Sequence, residues 1–164
     1  MRLFFEEPSK NFYLREISRM TKIAATSVKN YLVELEKNDM VKRNNKKAYP
    51  TYLANQQNRL FKIYKQQIII LDLYSSGLVD FLEDKLYPKC IILFGSMRKG
   101  DYNKDSDIDI FIQADDKDID LSKFEKNLKH KINLYFKENI NKLNNELFNN
   151  VINGIVLSGY LKLK

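Results

Sequence analysis

Between Cys90 and Gln113 the chain reads CIILFGSMRKGDYNKDSDIDIFIQ, bringing a Gly-Ser pair, two cations and an Asp-x-Asp pair into one short segment. Cys90 to Phe94 is a brief, continuous apolar run ending at a glycine, the pattern of a core strand rather than a helix. Gly95, with no side chain, lets the backbone approach a ligand closely. The N–H groups opening the next helical turn then face an anion, and Ser96 adds a hydroxyl. Arg98 and Lys99 follow at once. Asp107 and Asp109 stand two apart in a strand pattern, so their side chains share a face while Ile108, Ile110 and Ile112 point the other way. Paired carboxylates repel unless a cation neutralises them, and hard divalent ions such as magnesium take carboxylate and phosphate oxygens. The layout suits a nucleoside triphosphate and two ions about 3.5–4 Å apart, which would clamp the attacking and leaving oxygens of a phosphoryl transfer. An isolated Asp-x-Asp is as readily a solvated strand end. Its place behind strand-Gly-Ser, with Gly100 and Ser106 between, selects the ligand site.

These residues resemble the minimal nucleotidyltransferases of the DNA polymerase beta superfamily, whose mark is Gly-Ser, a basic loop, then Asp-x-Asp. Gly95, Ser96, Arg98, Gly100, Asp105, Ser106, Asp107 and Asp109 fall where that pattern puts them, and the resemblance runs from about Ser75 to the C-terminus. It implies that Gly95 and Ser96 bind the triphosphate and that Asp107 and Asp109 hold Mg2+ and carry catalysis; Arg98, the cation beside them, is expected to join in binding the nucleotide. The nucleotide expected is ATP or another nucleoside triphosphate. The family also supplies a third carboxylate from a later strand, and here Lys131 to Phe136 matches that segment with Asn133 at the acidic position. An amide can coordinate through its oxygen, but it has no charge and cannot act as a base. Tyr135 is the next residue on that strand face, Glu138 lies beyond it, and Asp115, Asp116, Asp118 and Asp120 read as a solvated loop.

The charge is unevenly spread. The whole chain carries +7, yet residues 1–65 hold 14 Lys and Arg against 6 Asp and Glu, leaving 14 against 15 in the remainder. A basic region beside a near-neutral one points to a polyanionic partner for the first. Arg2 to Glu7 reads as a helix stopped before Pro8, and Leu14 to Met20 as a second with Leu14, Ile17 and Met20 on one face. Thr21 to Ala24 reads as a tight turn. A third helix over 25–38 repeats Val28, Leu32 and Leu35 on one face and presents Thr26, Lys29, Asn30 and Val33 on the other. Ala24 is a poor residue for its N-cap. Lys42 to Lys47 then reads as a turn carrying four cations, Lys42, Arg43, Lys46 and Lys47, between two short extended pieces. Leu-Arg-Glu-Ile-Ser-Arg, Ser-Val-Lys-Asn-Tyr-Leu and Leu-Glu-Lys-Asn-Asp-Met-Val-Lys-Arg are similar to the winged helix-turn-helix of bacterial and archaeal transcription regulators. That resemblance implies double-stranded DNA as partner: Thr26, Lys29 and Asn30 would meet base edges and phosphates, and the four wing cations the backbone. A winged helix used only for protein contact is the alternative.

Length and composition suit two small domains, since 164 residues with 44% hydrophobic and 30% charged side chains describe globular material. The expected boundaries are 1–55 for the winged helix, 56–74 for a connecting helix and 75–164 for the nucleotidyltransferase-like part. Leu60 to Leu86 is apolar on nearly every face and should be buried on both domains or on a second copy, with a break at 75–77. A homodimer would match two DNA half-sites. No run reaches the ~18 apolar residues that span a bilayer, so a cytoplasmic protein with no membrane partner is expected. The lone Cys90 is expected as a buried thiol and His130 as a surface residue. Segments 121–129 and 140–150 read as helices and 154–163 as a last strand.

The expected fold class is α/β (α+β): an N-terminal winged helix-turn-helix joined to a small mixed-sheet domain like polymerase beta. Three activities stay open. One is a metal-dependent nucleotidyltransferase acting on a hydroxyl of a protein or nucleic acid. Another is a DNA-binding regulator whose second domain is catalytically degenerate and binds nucleotide or serves structurally. Family resemblance alone adds an antitoxin-like enzyme that modifies a toxin-like protein.

Overall fold

The computed structural model describes residues 1–45 and 48–162, which form two compact units, Met1–Tyr64 and Lys65–Lys164. The division falls inside the segment 56–74 expected to connect two domains. Among the described residues no helix is long and apolar enough to cross a membrane.

The first unit runs α1 (Arg2–Glu6), β1 (Phe12–Tyr13), α2 (Leu14–Thr21), α3 (Ala25–Lys37), β2 (Val41–Asn44) and β3 (Thr51–Ala54). The strands form an antiparallel sheet in the order β1-β3-β2. The sequence reading missed β1, whose two residues give no period to detect; Phe12 is fully buried and meets Phe4 edge-on at 5.3 Å. Glu16, in the first turn of α2, accepts the Tyr13 N–H at 3.3 Å. The turn into α3 places Lys22 in the left-handed region at φ 57°, and Ser18 Oγ donates to Ile23 O at 2.6 Å. Helix α3 starts at Ala24 with no side-chain cap, and buries Val28 and Leu32 as their spacing predicts.

Helix α4 (Arg59–Ser75) spans the division between the units; α5 (Leu78–Leu86) follows after Gly77, whose φ of +76° permits the break. Within one chain this segment is buried on one face only, so burial of the other face by this chain's own domains is not found. Phe61, Lys65, Ile69 and Leu73, four apart, form the buried stripe, while Leu60, Ile63, Tyr64, Leu71 and Tyr74 are exposed. After α5 come β4 (Cys90–Phe94), α6 (Gly95–Lys99), β5 (Ile108–Ile112), α7 (Ser122–Leu128), β6 (Ile132–Phe136), α8 (Asn145–Ile152) and β7 (Ile155–Gly159). The segment 140–150, expected as one helix, is a 3-10 turn at Ile140–Lys142 followed by α8. Asn144 breaks it by capping α8, its Oδ1 accepting the Leu147 N–H at 2.8 Å. The last strand, expected over 154–163, ends at Gly159, which turns at φ +70°; Leu163 lies outside the described residues.

The four strands order β6-β5-β4-β7, with β6 parallel to β5 and the other pairs antiparallel. On one face Ile91, Leu93, Ile108, Ile110, Ile112 and Ile132 pack against Ile69 and Leu73 of α4, Leu78, Leu82 and Leu86 of α5, and Phe124 of α7. On the other, Cys90, Ile92, Phe94 and Phe111 pack under Ile140 and Val151.

Candidate active site

The register of the sheet assembles the site. Phe94 pairs with Asp109 across β4 and β5, and Asp109 pairs with Asn133 across β5 and β6. Directly paired residues face the same way, so Asp109, Asn133 and the end of β4 meet on one face. Asp107 lies just before β5, one residue outside the strand in which the sequence placed it. Asp107 is exposed and Asp109 is half-buried.

Gly95 has φ +72°, and a Cβ built there would fall 2.3 Å from Asp109 Oδ2. Only glycine brings the turn this close to the carboxylate. Ser96 is half-buried and opens α6; Arg98, also half-buried, lies on the same short helix. Gly100 ends that helix in the left-handed region, and Asp101 N donates back to Ser96 O at 3.1 Å. The structure therefore brings Gly95, Asp107, Asp109 and Asn133 together, with Ser96 and Arg98 following Gly95 in α6.

Asn133 takes part in the site directly. Its Nδ2 donates to Asp107 Oδ2 at 3.3 Å and to Asp109 Oδ1 at 3.2 Å, so one neutral amide spans both carboxylates. Burial pushes the Asp109 carboxyl above its usual range; the Asn133 hydrogen bond opposes this and the nearby Asp107 charge reinforces it. Tyr135, on the same strand face, is also raised, by burial first and then by Asp109 and Asp107. Its ring packs edge-on against Phe94 at 5.2 Å.

The donor set suits a hard divalent cation: two carboxylates within reach of one amide, their mutual repulsion moderated only by hydrogen bonds. Among the described residues no group of three or more His, Cys, Asp or Glu side chains converges. A cation here would draw its remaining ligands from nucleotide phosphate or water, and from Asn133 once its amide turns to bring the oxygen towards the carboxylates. A hollow of about 600 Å³ bordered by Lys89, Gln113, Glu138 and Tyr160 lies at the other end of the sheet, away from the carboxylates.

His130 corrects its expectation. It is 7% exposed, and its Nδ1 donates to Ser106 O at 2.7 Å, beside Asp107. Sequence reasoning also missed Lys65 and Gln66 of α4. Lys65 Nζ donates to Tyr102 O, and Gln66 Nε2 to Arg98 O. The four-residue spacing of Phe61, Lys65, Ile69 and Leu73 was the available signal. In the first unit Thr26, Lys29 and Asn30 are exposed on α3, opposite Val28 and Leu32. Lys42 and Arg43 are exposed on β2, with Arg43 Nε donating to Asn45 Oδ1 at 3.0 Å. Lys46 and Lys47 lie outside the described residues.

The site is thus a mixed sheet with Gly-Ser at the end of β4, Asp109 on β5 and Asp107 just before it. The family model for the nucleotidyltransferase domain matches residues 75–157, half of the chain. The chain belongs to that family. A search of curated proteins returns no match.

Proposed function

We propose that this protein is a metal-dependent nucleotidyltransferase that moves a nucleotidyl group from a nucleoside triphosphate, with ATP the first candidate, to a hydroxyl of a protein or nucleic acid. The observation that carries this reading is the approach of Gly95 to Asp109, with Asp107 beside it and Asn133 across the strand pair. In this reading Gly95 and Ser96 hold the triphosphate through main chain and hydroxyl, and Arg98 balances its charge. Asp107 and Asp109 hold Mg2+. The ion, when bound, supplies positive charge to the phosphate oxygens and lowers the pKa of the attacking hydroxyl. The test is transfer of label from α-labelled nucleoside triphosphates to candidate acceptors, a toxin-like partner protein among them, with intact-mass detection. Loss of transfer in Asp107→Ala/Asp109→Ala is expected, and undiminished transfer would remove these residues from the reaction.

One observation favours a second reading. A neutral Asn133, unable to act as a base, stands across from Asp109 and donates to both carboxylates, as suits a regulator that binds nucleotide without turning it over. Nucleotide-dependent melting shifts with no transfer to any acceptor would select it.

For the first unit we propose a winged helix on double-stranded DNA. The order α2, turn, α3, two-stranded hairpin supports this, as do the exposed Thr26, Lys29 and Asn30 on α3 and Lys42 and Arg43 on β2. We propose a homodimer as well, supported by the apolar side chains that α4 leaves exposed. Salt-dependent duplex binding and the mass in solution test the two.

A further inference from the structure

We propose that Lys65 and Gln66 of α4 are positioning residues of the nucleotide site, clamping the loop that joins the Gly95–Ser96 turn to Asp107 and Asp109. This inference rests on the nucleotide-binding reading above.

The segment from α6 to β5 has little regular structure after Lys99, yet it joins Ser96 and Arg98 to Asp107, which lies outside the β5 ladder. Two neighbouring residues of one helix reach into it. Gln66 Nε2 donates to the main-chain carbonyl of Arg98, and Lys65 Nζ donates to that of Tyr102. Tyr102 answers, its hydroxyl donating to Lys65 O at 3.2 Å, and the ammonium lies 4.2 Å from the centre of the Tyr102 ring. Lys65 and Tyr102 are each 2% exposed.

A buried ammonium is costly, and this position lies on the apolar stripe between Phe61 and Ile69, where Met or Leu would fit the pattern. The cation therefore marks a specific requirement, and the carbonyl and ring of Tyr102 meet it. At the far end His130 Nδ1 holds Ser106 O at 2.7 Å, and Ile108 N donates to Lys131 O at 2.8 Å. Because the anchors at Arg98, Tyr102 and Ser106 are main-chain carbonyls, they fix the path of the backbone whatever side chains the loop carries. The β4–β5 register already fixes Gly95 against Asp109, and these anchors hold Ser96, Arg98 and Asp107 in place around that pair before any ligand arrives, which is what preorganised phosphate chemistry needs.

The test compares Lys65→Met, Gln66→Met and, as a control on the exposed side of α4, Gln67→Met in the full chain. Three quantities are measured: melting temperature without ligand, amide hydrogen exchange over residues 97–106, and affinity for magnesium with ATP, GTP, CTP and UTP in turn. Gln66→Met should keep its fold, speed exchange over 97–106 and weaken nucleotide binding on the order of tenfold. Lys65→Met should weaken it by up to about 10²-fold. Gln67→Met should change neither. If Lys65→Met does not fold, Gln66→Met alone decides. Unchanged exchange over 97–106 overturns the clamp, and faster exchange with unchanged affinity overturns its positioning role. A wild type that binds no nucleotide, with exchange still loosened by Gln66→Met, overturns the functional reading and with it the role assigned to the clamp.

Discussion

The two units carry their proposed functions in opposite ways. In the first, Thr26, Lys29, Asn30, Lys42 and Arg43 are exposed side chains that could meet a polyanion directly. Each contributes its charge or hydrogen bonds nearly independently, so such a surface should degrade gradually as residues are removed. In the second, Asp107, Asp109, Asn133 and Gly95 are brought together by strand register and a turn, so in the proposed reading they would act as a set. A site of that kind should fail abruptly. The contrast teaches that exposure and net charge describe one region well and are nearly silent about the other.

The largest effect should come from Asn133→Asp. A third carboxylate would add charge at the metal site and a group able to take the acceptor proton, a role worth about 10²–10⁴-fold in rate. Label transfer should rise within that range and magnesium should bind more tightly. Without magnesium the variant should lose stability by about 1–3 kcal/mol, because the amide bridge to Asp107 and Asp109 is replaced by repulsion. Transfer that is strong in the wild type and falls in the variant would mean that Asn133 does not occupy the third-ligand position.

Gly95→Ala should come next. Its Cβ would overlap Asp109 Oδ2 in a backbone region that disfavours side chains, costing about 1–3 kcal/mol. Nucleotide-dependent stabilisation in thermal melts should disappear while the fold persists. Retained nucleotide stabilisation would uncouple the turn from the carboxylates and break the abrupt-failure side of the comparison.

Gradual loss is the expectation for Lys42, Arg43, Lys46 and Lys47 replaced by Ala. Duplex affinity should fall and its logarithmic salt slope should flatten by roughly one for each phosphate no longer neutralised. Asn30→Ala should leave the slope in place and relax preference at one base position by about 1–3 kcal/mol. Duplex binding that ignores salt would remove the polyanion reading of the first unit.

Cys90 offers the smallest expected effect and a control. Burial in the core strand pushes its thiol up to about 11 from an ordinary 9.0, so the folded protein should not react with a disulfide reagent near pH 8. Because the folded pKa is the higher one, the protonated thiol favours the native state below pH 9. That contribution is lost as pH rises towards about 11. Gly95→Ala and Asn133→Asp should leave Cys90 protected, showing that they act on the site rather than on the sheet.

Much of this was legible in the amino-acid order because period and spacing are local quantities. The apolar run Cys90–Phe94, the alternation of Asp107 to Ile112 and the i, i+4 repeat of Val28 and Leu32 each name their element and the face it buries. The Gly-Ser and Asp-x-Asp pairs mark the nucleotidyltransferase family by residue type and separation alone, and charge counting singles out the first unit. What tertiary structure decided depends on residues distant in the chain. The pairing of Asp109 with Asn133 arises from a parallel register set across α7, which turns a neutral residue into a bridge over two carboxylates. Lys65, in sequence one more polar residue in an apolar helix, is buried because a carbonyl and an aromatic ring 37 residues later stand over it. His130 is hidden for a like reason, with Ser106 O accepting a hydrogen bond from its Nδ1–H. Periodicity reports which side of an element faces inward. Whether a polar group there finds its partner is decided only when the chain has folded.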